Sequence, residues 1–345
     1  MNISQFDYDL PREMIAQAPA EKRDESKLLV LDRATGAVEH RVFRDIIDYL
    51  SPNDTLVLND TRVIPARIDA HRETGGKVEI LFVEDRGNHR WTALMQAKGH
   101  LRVRETLVFD GGLRAEIINK DLDGLYMLRF GENDDVLATL ERYGMTPLPM
   151  YIVRTRPDHV ARPEDRERYQ TVYARDAGSV AAPTAGLHFT EELLKKIEEK
   201  GIEIARVTLH VGFGTFAPIR VERVEEHKMH RESFNVTPEE AEKLNRAKRE
   251  GRRIVAVGTT TTRMLESLAQ KGAIMPGHGA TDLFIYPGFQ FKLVDALITN
   301  FHLPQSTLLL LVCAFAGREK ILAAYEEAKR SGYRFYSYGD AMFIK

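Results

Sequence analysis

KVEILFVE (Lys77–Glu84) and RAEIINK (Arg114–Lys120) alternate apolar and polar residues with the two-residue period of a half-buried strand. Turn signals at Gly75–Gly76, Gly87–Asn88, Gly111–Gly112 and Asp123–Gly124 separate such stretches. Short strands so spaced predict a small antiparallel barrel or sandwich over residues 63–149, with one helix near Asp134–Tyr143 and a boundary at Pro147 and Pro149. On both sides of this block strands alternate with helices. Residues 1–62 and 150–345 therefore read as one discontinuous α/β domain that carries residues 63–149 as an insertion.

Before the insertion, Leu28–Leu31 and Leu56–Leu58 read as buried strands, and Phe43, Ile46, Ile47 and Leu50 form one face of a short helix between them. The second strand ends in Asn59, Asp60, Thr61 and Arg62. Polar residues at the C-terminal edge of a strand are where α/β folds bind ligands. After the insertion the spacing predicts a helix behind Thr190 as N-cap, a strand over Ile202–Val211, and a helix from Thr237 to Gly251 with Pro at its first position and a Glu placed for a capping box. Strands are predicted at Arg253–Val257, Leu283–Tyr286 and Leu293–Ile298. Helices are predicted after Gly258, from about Ser306, and over Arg318–Arg330, before a last strand in YRFYSYGDAMFIK.

The chain has 345 residues, enough for a large core and more than one domain. Its net charge of −2 supplies no global field for nucleic acid, so such a partner needs a local basic patch. The one cysteine, Cys313, excludes an internal disulfide and lies in an apolar run that reads as core. The apolar stretch Leu308–Ala316 is too short to span a bilayer, and the polar start MNISQFDYDLP is no secretory signal, so a cytoplasmic protein is expected.

Five stretches carry chemistry-bearing residues. In GSVAAPTAGLHFT (Gly178–Thr190), small residues ahead of a helix let backbone N–H groups approach an anion, with Thr184 and His188 at the mouth; a tight buried loop explains the same residues equally well. HVGFGTFAP offers His210, Phe213 and Phe216, rings that stack a base or fill a core, without the third glycine of a dinucleotide fingerprint. HKMHRE places His227, His230 and Glu232 together, which suits proton transfer better than metal binding because no further ligands accompany them. VGTTTTRMLE puts Thr259, Thr260 and Arg263 at a helix start suited to a carboxylate or phosphate. In Thr281–Pro304 the polar candidates are Tyr286, Asn300 and His302. Residues 151–175 are rich in Arg with interleaved Tyr. By composition they read as a solvated connector held by ion pairs, and on the functional reading as a phosphate-contacting surface.

NDTRVIPAR, SVAAPTAGLHFT, HVGFGTFAPIR, HKMHRE, VGTTTTRMLE and TDLFIYPGFQFKLVDALITNFHLPQSTLLLLVCAFAG, with the opening YDLPREMIAQ and the closing FYSYGDAM, resemble in order the S-adenosylmethionine:tRNA ribosyltransferase-isomerase family of queuosine biosynthesis. The resemblance spans essentially the whole chain and is weakest in the insertion; Thr261 stands where Ser is expected. It implies an α/β barrel-like main domain with an inserted antiparallel β-barrel. It implies transfer and isomerisation of the ribosyl part of S-adenosylmethionine onto 7-aminomethyl-7-deazaguanine at the tRNA wobble position, giving epoxyqueuosine, adenine and methionine. No metal and no cofactor are implied, S-adenosylmethionine being a co-substrate.

This chemistry needs a base at the ribose carbon next to the sulfonium and an acid for departing adenine. Within the recognised motifs, His227, His230 and Glu232 are expected to be the acid–base set, with His188 and His210 behind them. Thr259, Thr260 and Arg263 are assigned to the methionine carboxylate, Phe213 or Phe216 to adenine, and Asp282 or Asp60 to the ribose hydroxyls. Asn59, Arg62, Thr184, Tyr286, Asn300 and His302 complete the substrate set. A basic path through Arg154, Arg156 and Arg168 is expected to hold the tRNA, and the protein is expected to be a monomer. A methyltransferase and a non-catalytic tRNA-binding protein are the rival readings; the missing Gly-rich loop argues against the first and the dense His, Thr and Gly loops against the second.

Overall fold

The computed structural model describes residues 1–121, 124–149, 151–152, 163–212, 219, 221–270 and 272–345. In chain order the strands are β1 (Lys27–Leu31), β2 (Val38–Val42), β3 (Asp54–Asn59), β4 (Thr61–Val63), β5 (Arg67–Arg72), β6 (Lys77–Gly87), β7 (Arg90–Ala97), β8 (Thr106–Phe109), β9 (Arg114–Lys120), β10 (Tyr126–Arg129), β11 (Asp176–Ser179), β12 (Glu203–Leu209), β13 (Glu232–Val236), β14 (Arg253–Val257), β15 (Gly277–Thr281), β16 (Ala296–Asn300) and β17 (Ala341–Ile344). The helices are α1 (Val136–Tyr143), α2 (Asp165–Arg168), α3 (Glu191–Glu199), α4 (Pro238–Arg249), α5 (Thr259–Ala269), α6 (Thr307–Ala316) and α7 (Arg318–Arg330).

Nine strands form one mixed sheet in the order β15-β13-β12-β3-β14-β16-β17-β1-β2. Its centre, β12, β3, β14 and β16, is parallel, so four C-terminal strand ends lie side by side. Alternate residues of these strands feed two cores, as a sheet buried on both faces requires. Leu29, Leu31, Val57 and Val207 pack with α4–α7 on one face. Leu28, Val30, Leu56, Leu58 and Ile204 pack with α3 and the 3-10 helix Phe43–Tyr49 on the other. The α/β reading holds. The alternating stretches of the insertion close into a six-stranded antiparallel barrel, β10-β7-β6-β5-β8-β9. The barrel has its own core around Phe82, whose ring meets Trp91 at 5.5 Å and Phe130 at 6.0 Å.

Both predicted caps form: Thr190 and Thr237 each accept a hydrogen bond from the third backbone N–H of their helix, and Ser306, near which a helix start is expected, does the same. Glu240 does not reach back into a capping box. Its carboxylate instead accepts from Arg206 N in β12 at 2.8 Å and tethers α4 to the sheet. The segment Leu283–Tyr286 is not a strand. Pairing with β13 falls on Gly277–Thr281, upstream of the aromatics, and β16 begins only at Ala296. The intervening loop is held by Glu266 of α5, whose buried carboxylate accepts from the backbone N–H groups of Lys292, Leu293 and Val294 at 2.8–3.0 Å. Such a loop draws its apolar residues inward without a ladder, which periodicity alone cannot anticipate.

Candidate functional site

The C-terminal ends of the parallel strands open into a crevice. Thr299 and Asn300 at the end of β16, His302 just beyond it, Gly258, Thr259 and Thr260 after β14, and Val211 after β12 line it, together with residues 182–185. A second cavity shares Thr184, Asn300, His302 and Leu308 and continues past Tyr151, Phe301, Tyr336 and Ser337. Gly258, with φ +94°, turns β14 into α5, a backbone conformation that other residues rarely adopt. Thr261 and Thr262 return their hydroxyls to the carbonyls of Val257 and Gly258 at 2.6 and 3.1 Å. Thr259 and Thr260 line the crevice, where the unbonded N–H groups of the first turn and the helix dipole favour negative charge. The helix start that faces the crevice is thus that of α5. The α3 start is capped by Thr190 and carries Glu191 and Glu192 in its first turn.

The Gly178–Thr190 loop is both buried and part of the site. Ala185, Gly186, Leu187 and His188 are buried, while Thr184 is half-exposed at the crevice. Ser179 anchors it by accepting from Val211 N at 2.8 Å. Gly186 is required by close approach, since a Cβ there would lie 2.0 Å from the Tyr173 hydroxyl.

His188 is fixed by its partners. The carbonyl of Tyr336 accepts from Asn300 Nδ2 at 3.1 Å, and a carbonyl can only accept, so the orientation of the Asn300 amide is determined. The same NH₂ group meets His188 Nε2 at 3.2 Å, so Nε2 is the acceptor and the ring proton sits on Nδ1, 2.7 Å from Ser26 Oγ. Burial lowers the His188 pKa to about 3, aided by the charges of Arg334 and Arg23, so the ring stays neutral. His302, bonded to Thr299 Oγ1 at 2.8 Å, is likewise lowered to about 3 by burial. Among the described residues no hydrogen bond reaches Asn300 Oδ1 or the Tyr336 hydroxyl, although both are buried. Tyr336 also holds a left-handed φ of +75°, a strain that surrounding structure must support.

A scan for families matches residues 3–344 to the family described as queuosine biosynthesis protein. The chain is 53% identical to the S-adenosylmethionine:tRNA ribosyltransferase-isomerase of Carboxydothermus hydrogenoformans over 345 residues, all of both chains. It is 52% identical to that of Thermotoga petrophila over 344 residues, again covering 100% of each. The crystal structure of S-adenosylmethionine tRNA ribosyltransferase from Thermotoga maritima is similar with a TM-score of 0.57 and 42% identity, covering 99% of this chain and 100% of that one. The chain belongs to this family.

Next to the crevice lies a second polar group on β3, β12 and β11. Asp60, fully buried, accepts from Thr208 Oγ1 at 2.7 Å and forms an ion pair with Arg175 at 2.8 Å. Burial raises the Asp60 pKa against the Thr208 bond and the Arg175 charge. Asp176 Oδ2 approaches the same Thr208 hydroxyl at 2.9 Å. His210 Nδ1 meets Thr61 Oγ1 at 2.8 Å, and burial lowers its pKa against the pull of Asp176. Asn59 bridges β3 to β12 through the backbone of Leu209, a structural duty. Asp176 and Thr208 escaped the sequence reading because Thr208 lies 148 residues from Asp60 and 32 from Asp176 along the chain, and Arg175, read as part of the Arg-rich connector, instead pairs with Asp60. Tyr336 sat inside the recognised FYSYGDAM.

Other members of this family's expected site are dispersed. Glu232 is bound to Arg263 Nη1 at 2.9 Å and accepts from Gly212 N at 3.0 Å, both side chains being almost fully buried. His227 packs its ring on Phe284 at 5.1 Å, with its pKa lowered by burial and by His230, which is exposed. Asp282 is exposed, and Tyr286 packs on Phe284. Arg62 pairs with Glu141 of α1 at 2.8 Å, next to Arg166, which pairs with the same carboxylate. Arg168 donates to the carbonyls of Ala20 and Glu21, so it clamps the N-terminal segment. Phe213, Phe216, Arg154 and Arg156 lie outside the described residues. No group of three or more His, Cys, Asp or Glu able to hold a metal occurs among the described residues.

Proposed function

We propose that this chain is an S-adenosylmethionine:tRNA ribosyltransferase-isomerase. It moves the ribosyl part of S-adenosylmethionine onto 7-aminomethyl-7-deazaguanine at the tRNA wobble position, giving epoxyqueuosine and releasing adenine and methionine. The observation that carries this reading is identity above half over the entire length with a relative of that name. S-adenosylmethionine is consumed as co-substrate, and the reading invokes no further cofactor and no metal. A monomer acting in the cytoplasm suits it, and no helix among the described residues is long and apolar enough to cross a membrane.

The crevice supports roles for its residues. Thr259, Thr260 and the α5 N-terminus would receive the methionine carboxylate. Arg263, engaged with Glu232, would act on that carboxylate only indirectly by fixing the helix. The acid–base work falls to His210 beside Asp176, or to His227 with His230. His188 would act through position, because both its ring nitrogens are engaged. An anticodon base is already single-stranded and can splay into such a crevice at modest cost. Arg154 and Arg156 remain the proposed tRNA contacts.

Incubation with S-adenosylmethionine and tRNA bearing 7-aminomethyl-7-deazaguanine, followed by nucleoside mass analysis, tests the reading. Epoxyqueuosine with adenine in equal amount is expected. A mass gain of one methyl group would indicate a methyltransferase, and tRNA bound but unchanged a binding protein.

A further inference from the structure

We propose that Asn300 Oδ1 is the acceptor that recognises the exocyclic amino group of the adenine ring of S-adenosylmethionine. This rests on the function proposed above. The amide of Asn300 is locked, since Tyr336 O and His188 Nε2 both take its NH₂. That leaves Oδ1 as a buried acceptor with no hydrogen bond among the described residues, on a side chain that lines the crevice. A buried acceptor costs free energy until a donor reaches it.

The donor's class follows from the walls. The reactants carry four kinds of N–H donor: the methionine ammonium, the aminomethyl group of the modified base, the ring N1–H of that base, which arrives with the tRNA, and amino groups on heterocycles. The methionine ammonium sits on the carbon that bears its own carboxylate, so it stays with that carboxylate at the α5 N-terminus. Among the described residues no carboxylate lines the aromatic cavity, where an ammonium would be desolvated without a counter-charge. A neutral exocyclic amine needs only an acceptor. The rings of Tyr151, Phe301 and Tyr336 supply apolar surface for a flat heterocycle. Of the flat amino-bearing rings, adenine belongs to the ligand whose carboxylate suits the α5 N-terminus in the adjoining cavity, which shares Asn300 with the aromatic one. His188, Ser26 and the strained carbonyl of Tyr336 then serve as positioning groups that hold the amide face.

The test measures binding of adenine, purine and hypoxanthine to the full-length protein by calorimetry. Purine lacks the amine, and hypoxanthine presents an oxygen where the amine would be. Adenine should bind about tenfold tighter than purine, the worth of one hydrogen bond, and hypoxanthine weaker than purine. Asn300→Ala should bring adenine down to the level of purine and leave purine unchanged. Equal binding of adenine and purine by the unaltered protein, which needs no variant to fold, would overturn the proposal, as would a preference that survives Asn300→Ala. If no base binds while S-adenosylmethionine still yields adenine with tRNA, adenine sits elsewhere and this inference fails alone. If S-adenosylmethionine yields no adenine with the modified tRNA, the underlying function fails as well.

Discussion

Glu232 and Arg263 meet at 2.9 Å with side chains only 1% and 3% exposed, one from β13 and the other from α5. The pair joins two stretches, HKMHRE and VGTTTTRMLE, that in sequence look like separate chemical devices. It draws Glu232 away from proton transfer and fixes the helix whose first turn faces the crevice. Removing one member of such a pair strands a buried charge, at a cost of about 3–5 kcal/mol. Arg263→Met should therefore lower unfolding free energy by that order in urea titrations. Glu232→Met combined with Arg263→Met should recover most of it. An Arg263→Met protein as stable as the parent would show that the pair carries no such role.

Glu266 makes a second prediction. Its carboxylate holds three backbone N–H groups of residues 292–294. In Glu266→Ala these donors are left without their acceptor, each at about 1–3 kcal/mol. Destabilisation of several kcal/mol is expected, together with faster amide exchange confined first to residues 292–294. Exchange unchanged in that loop would sink the assignment.

The buried histidines set an acid limit. The folded pKa of His188 and of His302 lies at about 3, below the ordinary histidine value of 6.5. Between these values the unfolded chain binds more protons than the folded one, so stability is full above pH 6.5 and declines as the pH falls toward 3. The slope contributed by each histidine is at most about 1.4 kcal/mol per pH unit. His302→Gln should flatten the pH dependence of the urea midpoint between about pH 6.5 and 4. Identical slopes for the two proteins would remove His302 from the account.

Gly178 tests the His210 site. A Cβ at Gly178 would lie 2.9 Å from the His210 ring, and its φ of +151° disfavours other residues. Gly178→Ala should displace the ring from Thr61 and shift the His210 imidazole resonances in a pH titration by NMR, with the acidic groups of Asp60 and Asp176 still beside it. An unaltered titration of His210 would show that the ring tolerates the methyl group.

Charge reversal of Arg154 and Arg156 should weaken tRNA binding and flatten the slope of log K against log salt by roughly one for each phosphate no longer neutralised. Filter binding at several salt concentrations gives both numbers. An unchanged slope would place the tRNA on another surface.

How far the sequence carried the reading depends on the range of the interactions. The barrel was legible because strand alternation and turn residues are local, and so were the caps at Thr190 and Thr237. The crevice was half legible. Thr184, Thr259, Thr260, Asn300 and His302 were named from their motifs and lie together at the parallel strand ends. What the sequence could not show was pairing across the fold. Glu232 answers to Arg263, Asp60 to Thr208 and Arg175, and Asn300 to a carbonyl 36 residues away. Such partners are chosen by sheet order and burial, which no spacing along the chain records. The strand expected at Leu283–Tyr286 failed for a related reason, since Glu266 satisfies the loop's backbone where a ladder would have done so.

The central claim is that ribose carbons, and no others, pass from S-adenosylmethionine to tRNA. The most direct measurement supplies S-adenosylmethionine labelled in the ribose or in the methyl group to the protein and tRNA bearing 7-aminomethyl-7-deazaguanine, and counts label in the purified tRNA. Ribose label should enter the tRNA in equal amount to adenine released, and methyl label should stay in methionine. Methyl label in the tRNA, or no ribose label there, would contradict the account.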